Sequence, residues 1–257
     1  MVAFITSVSD CSWNPSSKST IRTSIMNRFK SFVRSRLPFP VPIWKPAEYF
    51  RLITRSSEKA FIRIYRENKW RDKDSRSGPG SNLIQTEAVR KALPLLIGEL
   101  NCKSLLDVPC GDFFWMKMIK MNIEYIGGDI VAELIENNRR EYGSANRRFL
   151  LLNLVRDSLP KADLILCRDC LVHFSYSDIF RAVRNIKSSG SIYFLTTTFV
   201  DRGRNENIPT GRWRPINLQF SPFNFPAPTR LIDEKCPDAG YRDKSLGLWK
   251  IADLAVR

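Results

Sequence analysis

Beyond Cys102 the sequence alternates short apolar runs, at 104–108, 125–128, 149–152, 164–167 and 191–197, with amphipathic segments of helix length between most of them. The runs are hydrophobic almost throughout rather than at every second residue, so each strand has to be covered on both faces. A parallel sheet clad by right-handed helical crossovers meets that requirement with this order of elements. Two further runs, 229–233 and 246–251, have no good helix between them and are expected to close the sheet as an antiparallel pair. The expected fold class is therefore α/β: a seven-stranded, mostly parallel sheet with helices on both faces and the last strand pair antiparallel.

The 257 residues suit one sizeable α/β domain with an N-terminal extension. Apolar residues make up 43%, enough for a real core. No apolar run approaches the ~20 residues of a membrane span. The net charge of +15 favours anionic partners, with a merely solvated basic surface as the plain alternative. Residues 11–47 hold no acid, are rich in Ser and Arg, and are broken by Pro38, Pro40, Pro42 and Pro46. The 1–46 stretch is thus read as a basic, poorly ordered extension. An organelle transit peptide and a true start at Met26 fit the composition too, and a short amphipathic helix over 26–36 would allow surface docking. A helical lid region is expected over 47–100, from helices at 47–70 and 82–100, the second capped by Ser81 or Asn82. The domain proper then occupies 101–257. The six cysteines are scattered, several of them in strand-like text, with no secretory signal ahead of them, which reads as free thiols in a cytoplasm.

Two strand ends carry the chemistry. The string LLDVPCGD puts Asp107 at the end of one strand, followed by a turn with Gly111 and an expected helix starting near Asp112. Ligands of open parallel sheets lie beyond the carboxyl ends of the strands, and a glycine there lets the backbone approach closely. The string YIGGDI ends the next strand with Asp129, twenty-two residues after Asp107. A carboxylate at that point can accept from both hydroxyls of a ribose. The competing account makes both aspartates helix caps.

These strings resemble the class I, Rossmann-like S-adenosylmethionine-dependent methyltransferases. With DLILCRDCLVH at 163–173, TTTF at 196–199 and GRWRPINL at 211–218, they look like a bacterial subgroup of that family. The resemblance spans about residues 60–252 and implies S-adenosylmethionine as cofactor. It implies that Asp107, Pro109 and Gly111 lie along the methionine moiety, that Asp129 with Ile130 holds the ribose, and that Asn153 faces the adenine. Arg168 and Asp169 would border the methyl group and the acceptor. Pro109 and Phe113 stand where glycine is common, and Asn153 stands where an acid is common. The same missing glycines oppose a dinucleotide-dependent oxidoreductase, since PCGDFF cannot cradle a pyrophosphate as G-x-G-x-x-G does.

His173, the one histidine, is a candidate base beside Asp169, with a packing residue as the alternative. Gly78, Gly80 and Ser81 are expected to offer backbone amides to the cofactor's carboxylate, or else to form a plain turn. Arg212, Trp213 and Arg214, in the segment 201–228, suit an anionic or planar acceptor, or else pack a loop. Cys110, Cys167 and Cys170 invite a redox or metal hypothesis, although one C-x-x-C pair is too few ligands for structural zinc. The function that follows is methyl transfer to a small molecule or sugar-like metabolite. The alternatives are the oxidoreductase, a basic nucleic-acid-binding protein, or an RNA methyltransferase.

Overall fold

The computed structural model describes residues 57–255. The extension over 1–46, its stretch at 26–36 and the first part of the 47–70 helix lie outside the described residues. The described part of that helix is α1, Ser57–Arg66. The second expected helix begins later than its sequence suggests. Asn82 Oδ1 accepts from the Gln85 amide and caps an irregular turn, and α2 runs only over Glu87–Glu99.

Seven strands form one sheet: β1 (Ser104–Asp107), β2 (Glu124–Asp129), β3 (Arg147–Leu151), β4 (Leu164–Cys167), β5 (Tyr193–Phe199), β6 (Arg230–Asp233) and β7 (Lys244–Lys250). Their order is β3-β2-β1-β4-β5-β7-β6. The first five are mutually parallel, and β7 runs antiparallel to both β5 and β6. The order reverses between β1 and β4, which opens a crevice at their carboxyl ends.

Alternation along each strand divides the core in two. Leu105, Leu164, Leu166 and Leu195 face α2 and α3 (Ala132–Tyr142), where Val89, Leu93 and Ile135 meet them. Leu106, Ile165, Phe194 and Trp249 face α4 (Tyr176–Ser188) and its Ile179, Val183 and Ile186. Leu105 and Leu106 are fully buried, each contributing about 1.5–3 kcal/mol. Ser175 caps α4 by accepting from the Asp178 amide, so the helix starts immediately beyond the carboxyl edge of the sheet.

One crossover departs from expectation. Between β1 and β2 there is no α-helix, only a 3₁₀ turn at Met116–Met118. Phe113 takes a left-handed φ of 57° and buries its ring among Tyr125, Tyr142 and Phe149, which stops a helix at its first turn. Asp112 is therefore no helix start. The 201–228 segment is a loop without helix or sheet strand, packed through Ile216, Leu218, Phe223 and Phe225 onto the α4 side of the core. No helix among the described residues is long and apolar enough to cross a membrane.

Candidate functional site

A cleft lies over the carboxyl ends of β1, β2 and β4, and Asp107, Asp129, Asn153, Asp169 and His173 all line it. Register puts them there. Asp107 pairs with Gly127 of β2 and with Leu166 of β4, while Asp129 pairs with Leu151 of β3, two residues before Asn153. Asp107 is buried and accepts from the Tyr125 hydroxyl at 2.7 Å. Burial pushes its carboxyl up to about 7, against the pull of that hydrogen bond. Asp129 accepts from the Val131 amide at 3.0 Å and the Gly111 amide at 3.2 Å. Burial pushes it up to about 6 although both amides favour its charged form. One bond to each oxygen leaves lone pairs for a further donor. Ile130 and Pro109, the latter after a cis peptide bond, complete this wall.

Asn153 carries the most specific signal at this end. Its Oδ1 accepts from the Val155 amide at 3.0 Å, which fixes the amide's orientation. Its Nδ2 is buried without a hydrogen-bond partner among the described residues. A buried donor left so costs about 1–3 kcal/mol unless a ligand or an ordered water satisfies it. The free group is thus a donor, where the acid common at this position would present only acceptors.

The loop before α2 forms the opposite wall. Asp112 accepts from the Ser75 and Ser77 hydroxyls and from the Arg76 amide at 2.8–3.1 Å, and Ser77 Oγ accepts in turn from the Asp112 amide. A Cβ on Gly111, at φ +55°, would meet Ser77 Oγ at 2.2 Å. The glycine therefore serves this loop-to-loop contact as well as the cleft it lines. Gly78 packs on Trp70, and a Cβ on Gly80 would meet Asp169 Oδ2 at 2.7 Å. Ser81 lines the cleft.

At the tip of β4, Arg168 lies at the centre of a buried cluster. It bonds Glu234 through Nη2 at 2.6 Å and Nε at 3.2 Å, donates to the Gly80 carbonyl at 2.7 Å, and approaches Asp169 at 3.3 Å. Lys244 completes it, 2.7 Å from Asp169 and 3.2 Å from Glu234. Burial works against the Arg168 charge, but Glu234 and Asp169 more than offset it and raise its pKa. Burial would also raise Asp169, yet Lys244 and Arg168 outweigh it and hold the carboxyl at about 2. Asp169 is thus a permanently ionised anchor with little basicity.

His173 Nδ1 lies 2.9 Å from the Arg212 carbonyl. A carbonyl only accepts, so Nδ1 carries the hydrogen and Nε2 keeps its lone pair. Desolvation beside Phe61 and Trp70 pushes the half-buried imidazole down to about 4, against the Arg212 carbonyl and the Asp169 charge. The neighbouring 212–214 residues stay outside the cleft lining. Arg214 is buried and donates to the carbonyls of Glu206, Leu171 and Phe174 at 2.8–3.0 Å, which ties the 201–228 loop to the β4 turn. Arg212 is exposed and contributes its carbonyl, and Trp213 packs edge-on against Tyr241.

Several contributors are invisible in the sequence. Glu234 and Lys244 read as ordinary strand-end charges, and Phe61, Tyr65, Trp70 and Trp115 as helix or loop aromatics, yet the first pair is buried and the rings line the cleft. The five described cysteines are free, with Cys167 and Cys170 adjacent. Cys110 instead contacts Asn138, and no group of three or more metal-ligating side chains occurs among the described residues.

The sequence matches no family model and no curated protein. The structure is similar to that of Burkholderia thailandensis 1,6-didemethyltoxoflavin-N1-methyltransferase, solved with 1,6-didemethyltoxoflavin and S-adenosylhomocysteine. That match has 16% identity over 83% of this chain and 93% of the other, with a TM-score of 0.52. Human N-acetylserotonin methyltransferase in complex with SAM matches with 12% identity over 79% of this chain and 61% of its own, TM-score 0.51. The N-methyltransferase NodS of Bradyrhizobium japonicum matches with 10% identity over 66% and 98%, TM-score 0.50. Strand order and these likenesses agree on one architecture: the chain has the class I, Rossmann-like fold of the S-adenosylmethionine-dependent methyltransferases.

Proposed function

We propose that this chain is an S-adenosylmethionine-dependent methyltransferase acting on a small molecule. The observation that carries the reading is the unpartnered, buried Asn153 Nδ2 in the same cleft as Asp129. An adenosyl group offers the complementary set: two ribose hydroxyls that donate to a carboxylate, and a ring nitrogen that accepts from an amide. Asp129 and Ile130 would hold the ribose, Asn153 the adenine, and Asp107, Pro109 and Gly111 the amino-acid end, with Gly78, Gly80 and Ser81 in the covering loop. When bound, S-adenosylmethionine supplies an electrophilic methyl on a cationic sulfonium. The carboxylates of Asp107, Asp112 and Asp129 line the same cleft and suit a cation better than a pyrophosphate, which weighs against a dinucleotide. Free thiols fit a cytoplasmic protein.

His173 serves in this reading as a neutral acceptor beside the nucleophile, and Asp169 as the fixed charge that shapes that end. Alignment contributes most to such a displacement. The test is a thermal-shift panel of S-adenosylmethionine, S-adenosylhomocysteine, NAD(P) and RNA. Either adenosyl compound at 100 times its Kd should add about 2.7 kcal/mol of stability, a rise of roughly 5–10 °C for a domain of this size. No response to either, with a response to NAD(P) or RNA, would replace this reading by one of its alternatives.

A further inference from the structure

We propose that the methyl acceptor is a planar aromatic or heteroaromatic molecule, seated against Phe61, Tyr65 and Trp70, whose O–H or ring N–H donates to Nε2 of His173. The inference rests on the methyltransferase reading and specifies its substrate class.

Besides the polar groups of Asp107, Asp129 and Asn153, the cleft lining holds an aromatic set made of Phe61, Tyr65, Trp70 and the His173 ring. Trp70 and His173 have ring centroids 5.4 Å apart, and Phe61 stands edge-on to His173 at 6.3 Å. Trp70 is held firmly: Gly78 packs on its ring, and Asn68 and Arg71 on either side of it adopt left-handed φ values of 43° and 51°. Such backbone conformations cost energy in non-glycine residues and persist where the surroundings impose them, often in ligand clamps. The Arg76 guanidinium lies over Tyr65 at 5.6 Å and extends the π-rich wall towards solvent.

The polar groups beside the His173 ring are committed. Asp169 is engaged by Lys244 and Arg168. His173 has given its Nδ1 hydrogen to the Arg212 carbonyl. What it offers is one acceptor nitrogen surrounded by aromatic faces. A sugar ring, with a hydroxyl on most carbons, would leave several donors unsatisfied against such a wall. A planar aromatic ring satisfies it by offset or edge contacts and needs only one hydrogen bond.

Acidity points the same way. The low basicity of His173 suits a phenol-like O–H, with a pKa of about 10 as in tyrosine, far better than an aliphatic hydroxyl near water's value of about 15.7. In the transfer, a lone pair of the acceptor oxygen or nitrogen forms the new bond to the methyl carbon. The carbon–sulfur bond breaks and its pair stays on sulfur. The acceptor's proton passes to Nε2 and then to solvent, which returns the imidazole to its neutral form.

The experiment is calorimetry and tryptophan fluorescence on the protein saturated with S-adenosylhomocysteine, titrated with 7-hydroxycoumarin, 4-hydroxyquinoline, 5-hydroxyindole and methyl β-glucoside. At least one planar probe is expected to bind while the glucoside does not. Trp70→Ala should weaken that probe about tenfold or more, the scale of a lost aromatic contact, and Trp70→Phe should retain most of its affinity. Three results overturn the inference with the methyltransferase reading intact: S-adenosylhomocysteine binds but none of the planar probes does, the glucoside binds as well as they do, or Trp70→Ala leaves their affinity unchanged. Failure of S-adenosylhomocysteine itself to bind overturns the methyltransferase reading instead.

Discussion

Glu234→Gln removes one charge from a cluster in which two cations and two anions lie within 3.3 Å of one another in successive pairs. The side chains of Arg168, Glu234 and Lys244 are 4%, 1% and 9% exposed, so water cannot take over the lost partner's role. Breaking a buried pair by removing one member costs about 3–5 kcal/mol, because the remaining charge is left uncompensated. For a domain of this size that is a fall in Tm of roughly 10 °C. Lys244→Met unbalances the cluster in the opposite sense and should cost a similar amount. The double variant keeps Arg168 facing Asp169 and is neutral again. Its loss should fall short of the summed single losses by about 1–3 kcal/mol, measured by urea unfolding as a double-mutant cycle. Arg168 also donates to the Gly80 carbonyl, so Glu234→Gln should weaken S-adenosylhomocysteine binding as the covering loop loosens. Single losses below about 1 kcal/mol, or additivity within about 0.5 kcal/mol, would refute the claim that charge balance holds this end of the cleft.

Affinity for S-adenosylhomocysteine should fall as the pH drops from 7 to 5, because burial raises Asp129 to about 6 and its protonated form accepts poorly from ribose hydroxyls. The slope should approach tenfold per pH unit below 6, and calorimetry showing a flat affinity would contradict it. The single histidine gives one Hε1 resonance to follow by NMR. Its midpoint should lie near 4, since burial outweighs the Arg212 carbonyl and the Asp169 charge, with Arg214 and Lys244 also opposing protonation. A midpoint near 6.5 would mean the ring is solvated. Asn153→Asp should weaken S-adenosylhomocysteine about tenfold, by exchanging a donor for an acceptor that faces a ring nitrogen, on the scale of one lost hydrogen bond. Unchanged or tighter binding would show that the adenine presents its amino group there instead.

The strands were legible because burial on both faces writes itself into the sequence as uninterrupted apolar text. LILC at 164–167 is fully buried in β4. Asp107 and Asp129 were legible because an acid that ends such a run breaks its logic and demands a reason. The missing β1–β2 helix was only half legible: Phe113 stands where the family resemblance expects glycine, but that it keeps a left-handed φ there and so ends the helix is seen only in the structure. Glu234 and Lys244 were hidden for a different reason. They lie 66 and 75 residues from their partners Arg168 and Asp169, and a lone charge at a strand end normally faces water. Arg214 misled in the converse way, since an arginine among aromatics suggests a ligand, whereas its guanidinium is committed to backbone carbonyls.

The covering loop unites these observations. It is held at both ends by charge, through Asp112 on its Ser75–Ser77 side and Arg168 on its Gly80 side. Those two anchors follow the ends of β1 and β4, the pair of strands between which the sheet order reverses. The loop is therefore tied to the sheet by contacts made within the chain itself. Preorganisation of this kind lowers the ordering cost that binding would otherwise meet. It also explains why the crossover after β1 can dispense with a helix. A helix starting at Asp112 would leave its first backbone amides without intrahelical partners, whereas here the Asp112 amide donates to Ser77 Oγ and its carboxylate accepts from Ser75, Arg76 and Ser77. By folding Phe113 inward, the chain exchanges that helix for an anchor, and the wall of the cleft is built from the residues that a helix would have consumed.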